Sequence, residues 1–109
     1  MAGNGYNQVG HQQLSVGTAP TPLTFPVRSD NGEAINPSQA VIYVGNEPIR
    51  WRADGVDPTA SVGIFVSAGG YIEWDDPERN YLGFLKRVRF VKDSTAGAGN
   101  AVLDVAYIQ

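Results

Sequence analysis

The chain has no cysteine, which excludes disulfides, thiol nucleophiles and thiolate metal sites. It has one histidine, His11, in a polar stretch, so a nucleophile–base–orienter triad lacks its usual base. Charged residues are only 17% of the 109, and the net charge of -3 is the wrong sign for a general nucleic-acid binder. No run approaches the roughly 20 apolar residues of a membrane helix. The first ten residues, MAGNGYNQVG, contain no basic segment leading into an apolar one, so we expect no secretory signal and a chain made and left in a cytoplasm. Long helices are disfavoured as well, because thirteen glycines and seven prolines punctuate the whole length.

What is present is a series of short alternating runs. Residues 40–66, AVIYVGNEPIRWRADGVDPTASVGIFV, form the centre of the pattern. Val41-Ile42-Tyr43-Val44 has the β-branched and aromatic composition of a pleated surface. Gly45-Asn46-Glu47-Pro48 breaks the chain, and Ile49-Arg50-Trp51-Arg52 alternates, with Ile49 and Trp51 on one face and both arginines on the other. A loop over 53–59 precedes a third run, Val62 to Val66. Leu14 to Val16 and Leu23 to Phe25 read as short strands, the second limited by Pro26. Residues 28–38 are polar and turn-rich, with Ile35 returning to the core. Tyr71 to Trp74 places Ile72 and Trp74 on one face, Tyr71 and Glu73 on the other. Residues 75–80 are acidic and hold a possible helical turn at Pro77. FLKRVRFVK (84–92) is the longest strand candidate, and 101–108 closes the chain with Leu103, Val105 and Tyr107 on one face. About eight short strands, with turn signals every 8–12 residues or so, predict an all-β antiparallel fold, a sandwich, a jelly roll or a small barrel. We read residues 1–10 as a flexible N-terminal arm and 11–109 as a single β-sandwich domain.

The catalytic inventory is thin. Asp54, Asp57, Glu73, Asp75, Asp76 and Glu78 are the candidates for a glycosidase pair or a calcium site, but beside Gly and Pro they read as turn and cap residues. Gly97-Ala98-Gly99-Asn100 lacks the Lys-Ser/Thr of a phosphate loop and precedes a strand, so a hairpin connection is expected there. We therefore assign no catalytic residue, no cofactor and no metal. The arginines carry more information. Arg50/Arg52 and Arg87/Arg89 are alternating pairs, either a solvated face paired with Glu73 or Asp75, or a basic stripe that docks on an acidic protein surface. Stacking of single-stranded nucleic acid on Trp51 or Trp74 is the weaker reading, since both share faces with isoleucine.

Pro48-Ile49-Arg50-Trp51-Arg52-Ala53-Asp54-Gly55-Val56-Asp57-Pro58-Thr59-Ala60-Ser61-Val62-Gly63 resembles the "VRWRDDGTAPTATVG" block of small virion-associated proteins of tailed bacteriophages. The Gly69-Gly70 turn, Tyr71-Ile72-Glu73-Trp74, Val88-Arg89-Phe90-Val91 and Leu103-Asp104-Val105-Ala106-Tyr107 keep the order of that pattern, so the likeness runs from Leu14 to the C-terminus. The segment 75–83 is longer than the pattern has between these strands. The resemblance implies a jelly-roll cement or decoration protein on the capsid exterior, assembled in the host cytoplasm. It also implies no enzyme activity, and as partners the phage major capsid protein and other copies of the chain as a dimer or trimer, with neither nucleic acid nor membrane. Contact residues expected on this reading are Arg50, Arg52, Arg87 and Arg89, with Tyr6 in the arm. The alternative is a tail-associated carbohydrate- or receptor-binding module using Tyr71, Trp74 and Tyr81. A small β-sandwich hydrolase of cell-wall glycans, working through Glu73 and Asp75, is a third.

Overall fold

The computed structural model describes residues 8–25, 35, 37–75 and 84–108. Among the described residues are eight strands and one helical turn: β1 (Gln8–Val16), β2 (Thr21–Pro22), β3 (Gln39–Val44), β4 (Ile49–Arg52), β5 (Ile64–Val66), β6 (Tyr71–Asp75), α1 (Phe84–Arg87), β7 (Arg89–Lys92) and β8 (Ala101–Ile108). They form two four-stranded antiparallel sheets, which we call A, in the order β1-β8-β3-β6, and B, in the order β2-β7-β4-β5.

The pairing is nested. β4 pairs with β5, β3 with β6, β2 with β7 and β1 with β8, so the chain is one long antiparallel ribbon folded at the β4–β5 end. Rolling that ribbon brings β3 against β8 and β4 against β7, which closes each sheet. This is the jelly-roll arrangement of a double-sheet β-sandwich.

Alternation builds the core. Val9, Leu14 and Val16 of β1, Ala40, Ile42 and Val44 of β3, and Ala101, Leu103, Val105 and Tyr107 of β8 are buried from sheet A. Ile49 and Phe90 face them from sheet B, and Ile35 is buried as its sequence position led us to expect. The buried Tyr107 hydroxyl donates to Gln12 Oε1 at 2.7 Å, which satisfies the one polar atom that this large ring brings inside.

Four local expectations need correction. β1 begins at Gln8, so 8–10 belong to a strand rather than to an arm, and His11 sits on that strand. The short strand beside it is Thr21–Pro22, not Leu23 to Phe25; Leu23 instead drops into the core. The run 84–92 is not one strand. Leu85 and Val88 are both buried; a strand would send residues three apart to opposite faces, whereas a helical turn sets them on one, and Val88 N–H donates to the Phe84 carbonyl at 3.0 Å. Finally, 93–100 connects β7 of sheet B to β8 of sheet A, so it crosses between sheets and is no hairpin. The acidic turn around Pro77, Tyr81 and Tyr6 lie outside the described residues.

Candidate functional site

The end of the sandwich beside β4, β5 and α1 is floored by aromatic rings. Trp51 and Trp74 meet edge to face with centroids 4.9 Å apart, and Phe84 lies 5.7 Å from Trp51 and 4.8 Å from Trp74. Trp74 stacks on Phe90 at 6.0 Å, so both tryptophans are packed against the core, as their shared faces with isoleucine implied. Above this floor opens a groove of about 720 Å³, whose walls include Arg52, Asp54, Val62, Ile64 and Arg87. Its apolar walls meet solvent: Val62 and Ile64 each leave about half of their surface exposed. β5 is a sheet edge only three residues long, and short edges resist fortuitous strand pairing.

The four arginines separate into two kinds. Arg50 is structural: its Nε donates to Asp93 Oδ1 at 2.6 Å, its Nη1 to the Gly63 carbonyl at 2.9 Å, and its guanidinium lies 5.5 Å from the Phe65 ring centre. Arg89 is structural too, because Nη1 donates to the Val88 and Lys86 carbonyls at 2.9 and 3.2 Å and satisfies the exposed end of α1. Arg52 and Arg87 instead reach the groove. Arg52 forms a fork with Asp54, donating from Nε at 3.0 Å and from Nη2 to the other oxygen. That fork holds the Asp54 carboxyl well below the usual range, at about 2. Arg87 has no acidic partner among the described residues, and it is exposed. The structure thus pairs the arginines with Asp54 and Asp93 rather than with Glu73 and Asp75, which lie on β6 in the other sheet.

The alternation that put Arg50 and Arg52 on one face was visible in the sequence. What it could not show is that residues 53–63 fold over that face. Ser94 N–H donates to the Ala60 carbonyl at 2.9 Å, and Pro58 and Val91 are buried although Val91 pairs with Arg50 on the outer side of sheet B. The covering loop converts one arginine into a fastening and leaves the other at the opening.

Two other sequence candidates also resolve. The carbonyls of Gly97 and Gly99 accept from Lys92 Nζ at 2.9 and 2.7 Å, and the Gly97 N–H donates to a Glu47 carboxylate oxygen, so polar groups of this glycine loop are taken up by the chain's own side chains. Of the proposed sugar-stacking rings, Trp74 points inward; Tyr71 is exposed, and its cross-strand neighbour is Tyr43. No protein-family model, curated protein or solved structure matches this chain.

Proposed function

We propose that the protein is a non-enzymatic accessory of a tailed-bacteriophage particle, a cement or decoration protein that binds the outside of the assembled capsid and stabilises contacts between capsomers. One observation carries the reading: the block 48–63, on which the resemblance to phage virion proteins rests, is the segment that builds the groove. Trp51, Arg52, Ala53, Asp54, Val62 and Gly63 all come from it. An apolar centre rimmed by arginine is the anatomy of a protein-binding surface, and exposed apolar groups of this kind mark such surfaces on soluble domains. Arg87 offers a planar fork to carboxylates of the shell protein, and Arg52, whose fork is held by Asp54, adds its charge beside it.

The mechanism is mass action. A protein that binds the assembled shell but not its separated subunits stabilises the shell by its binding free energy. Many symmetry-related copies each contribute, so individually modest contacts suffice.

Co-sedimentation with mature shells that lack the protein tests this. Saturable binding at a copy number allowed by the shell symmetry is expected, and the folded Arg52→Glu/Arg87→Glu variant should not bind. If the wild-type chain stays in the supernatant the reading fails; if the variant binds as well as wild type, the groove is not the contact.

A further inference from the structure

We propose that the outer face of sheet A binds a linear, uncharged saccharide chain, with Tyr43 and Tyr71 as its stacking platform. This site shares no residue with the groove and does not depend on the capsid reading.

The platform follows from register. Tyr43 and Tyr71 are direct cross-strand partners on β3 and β6. The Val44 N–H donates to the Gly70 carbonyl at 2.8 Å, which makes 44/70 a hydrogen-bonded pair. By alternation 43/71 is a non-hydrogen-bonded pair, the position at which opposed side chains approach most closely. The ring centres are 5.8 Å apart and the planes incline by 31°, so the two rings lean against each other as a tilted pair. Tyr43 is 53% and Tyr71 63% exposed, which leaves each ring open to a ligand.

Polar groups continue the same row. Tyr43 is opposite Asp104 on β8, and Asp104 is opposite Gln13 on β1. With neighbouring strands about 4.8 Å apart, the four residues extend across about 14 Å of flat sheet. In the adjoining row Glu73 faces Val41, and His11 lies diagonally across with Nε2 3.8 Å from Asp104 Oδ1.

This combination selects the ligand class. A pyranose has an apolar C–H face that stacks on an aromatic ring and a rim of hydroxyls that bond to carboxylates and carboxamides. A flat face cannot enclose a small molecule, but an extended chain can lie along it. Asp104 and Glu73 repel phosphate, sulfate and uronate groups, which removes nucleic acid and acidic glycans. A protein partner would want exposed apolar neighbours around the tyrosines; Val41 beside Tyr43 is half-buried, and the more open neighbours are Asp104 and Glu73.

The test is an amide NMR titration of the full chain with cellohexaose, chitohexaose and maltohexaose, each to millimolar concentration. Saturable shifts from at least one of them should map to residues 11–13, 41–43, 71–73 and 104. Tyr43→Ala and Tyr71→Ala should weaken that binding by about tenfold or more, and Asp104→Asn, which leaves the ring pair and the core intact, should weaken it as well. The proposal is overturned if none of the three hexasaccharides produces saturable shifts, if the shifts map to the groove, or if well-dispersed spectra of the variants accompany unchanged affinity.

Discussion

Arg50 donates from Nε to Asp93 Oδ1 at 2.6 Å, and this ion pair is where three parts of the chain are fastened together. Arg50 lies on β4 and also holds the Gly63 carbonyl, so it secures the 53–63 loop. Asp93 opens the 93–100 connection; its carboxylate accepts from the Thr95 N–H at 2.9 Å and the Thr95 hydroxyl at 2.5 Å, while its own N–H donates to the Pro48 carbonyl at 3.1 Å. Its side chain is only 2% exposed, so removing the guanidinium leaves a desolvated carboxylate short of a partner.

The four arginines should therefore differ sharply in stability although they look equivalent as alternating pairs. In thermal melts we expect Arg50→Ala to lower Tm by on the order of 10 °C. Arg89→Ala should fall between, through loss of two carbonyl contacts at the end of α1. Arg52→Ala and Arg87→Ala should stay within about 3 °C of wild type. Equal melting of Arg50→Ala and Arg87→Ala would show that the loop does not depend on the ion pair.

How much of this was legible in the sequence follows from which features are local. The strands around Ile42, Trp51, Trp74 and Val105 were readable because a two-residue period separates core from solvent without reference to anything distant. Their spacing and the turn signals between them pointed to the sandwich class, whereas the nested pairing joins distant strands and was not readable. The division of the arginines was hidden, because it depends on Asp93 being 43 positions from Arg50 in sequence and adjacent in space. The turn at Phe84–Arg87 was hidden for a related reason: FLKR fits a strand as well as a helix, and what distinguishes them is tertiary, with Phe84 set on Trp51 and Trp74 while Leu85 and Val88 are both buried. β1 was legible only over Leu14 to Val16, whereas upstream the polar Gln12 points inward to receive the Tyr107 hydroxyl.

Acid should loosen the fold over a defined window. Asp93 is held at about 2, chiefly by the hydrogen bonds from the Thr95 hydroxyl and amide, with Arg50 adding to them against the upward push of burial. A carboxyl whose folded pKa lies below its unfolded value of about 3.9 contributes stability that is complete above that value. That contribution is lost as pH falls through the folded value. Urea unfolding from pH 7 to pH 2 should show a decline concentrated between about pH 4 and pH 2, and the gap between wild type and Asp93→Asn should narrow through the same interval. Asp54 is depressed as well, but its pair with Arg52 is solvent-exposed and should be largely screened in high salt. Parallel pH profiles for wild type and Asp93→Asn would assign the acid transition elsewhere.

Gly63 and Gly55 lie in the same covering loop, and substituting each tests whether the loop is fastened or merely present. Both have positive φ, +139° at Gly63 and +88° at Gly55. A side chain at Gly55 meets nothing within 4 Å, so Gly55→Ala should cost only the backbone strain, about 1 kcal/mol. At Gly63 a Cβ would stand 3.1 Å from the Trp51 carbonyl oxygen, 3.2 Å from Arg50 Cβ and 3.3 Å from Pro58 Cβ. None of these can give way cheaply: Trp51 is held in the sheet between Ile64 and Phe90, and Pro58 is buried. Gly63→Ala should therefore cost more than about 2 kcal/mol by urea denaturation. Because the Gly63 carbonyl is itself an acceptor for Arg50, Gly63→Ala and Arg50→Ala should be partly non-additive: once the loop is displaced, Arg50→Ala still costs the ion pair with Asp93 but no longer the contact with Gly63. Additive losses would mean that Arg50 and Gly63 stabilise the loop independently, and that the ion pair to Asp93 alone accounts for the effect of Arg50.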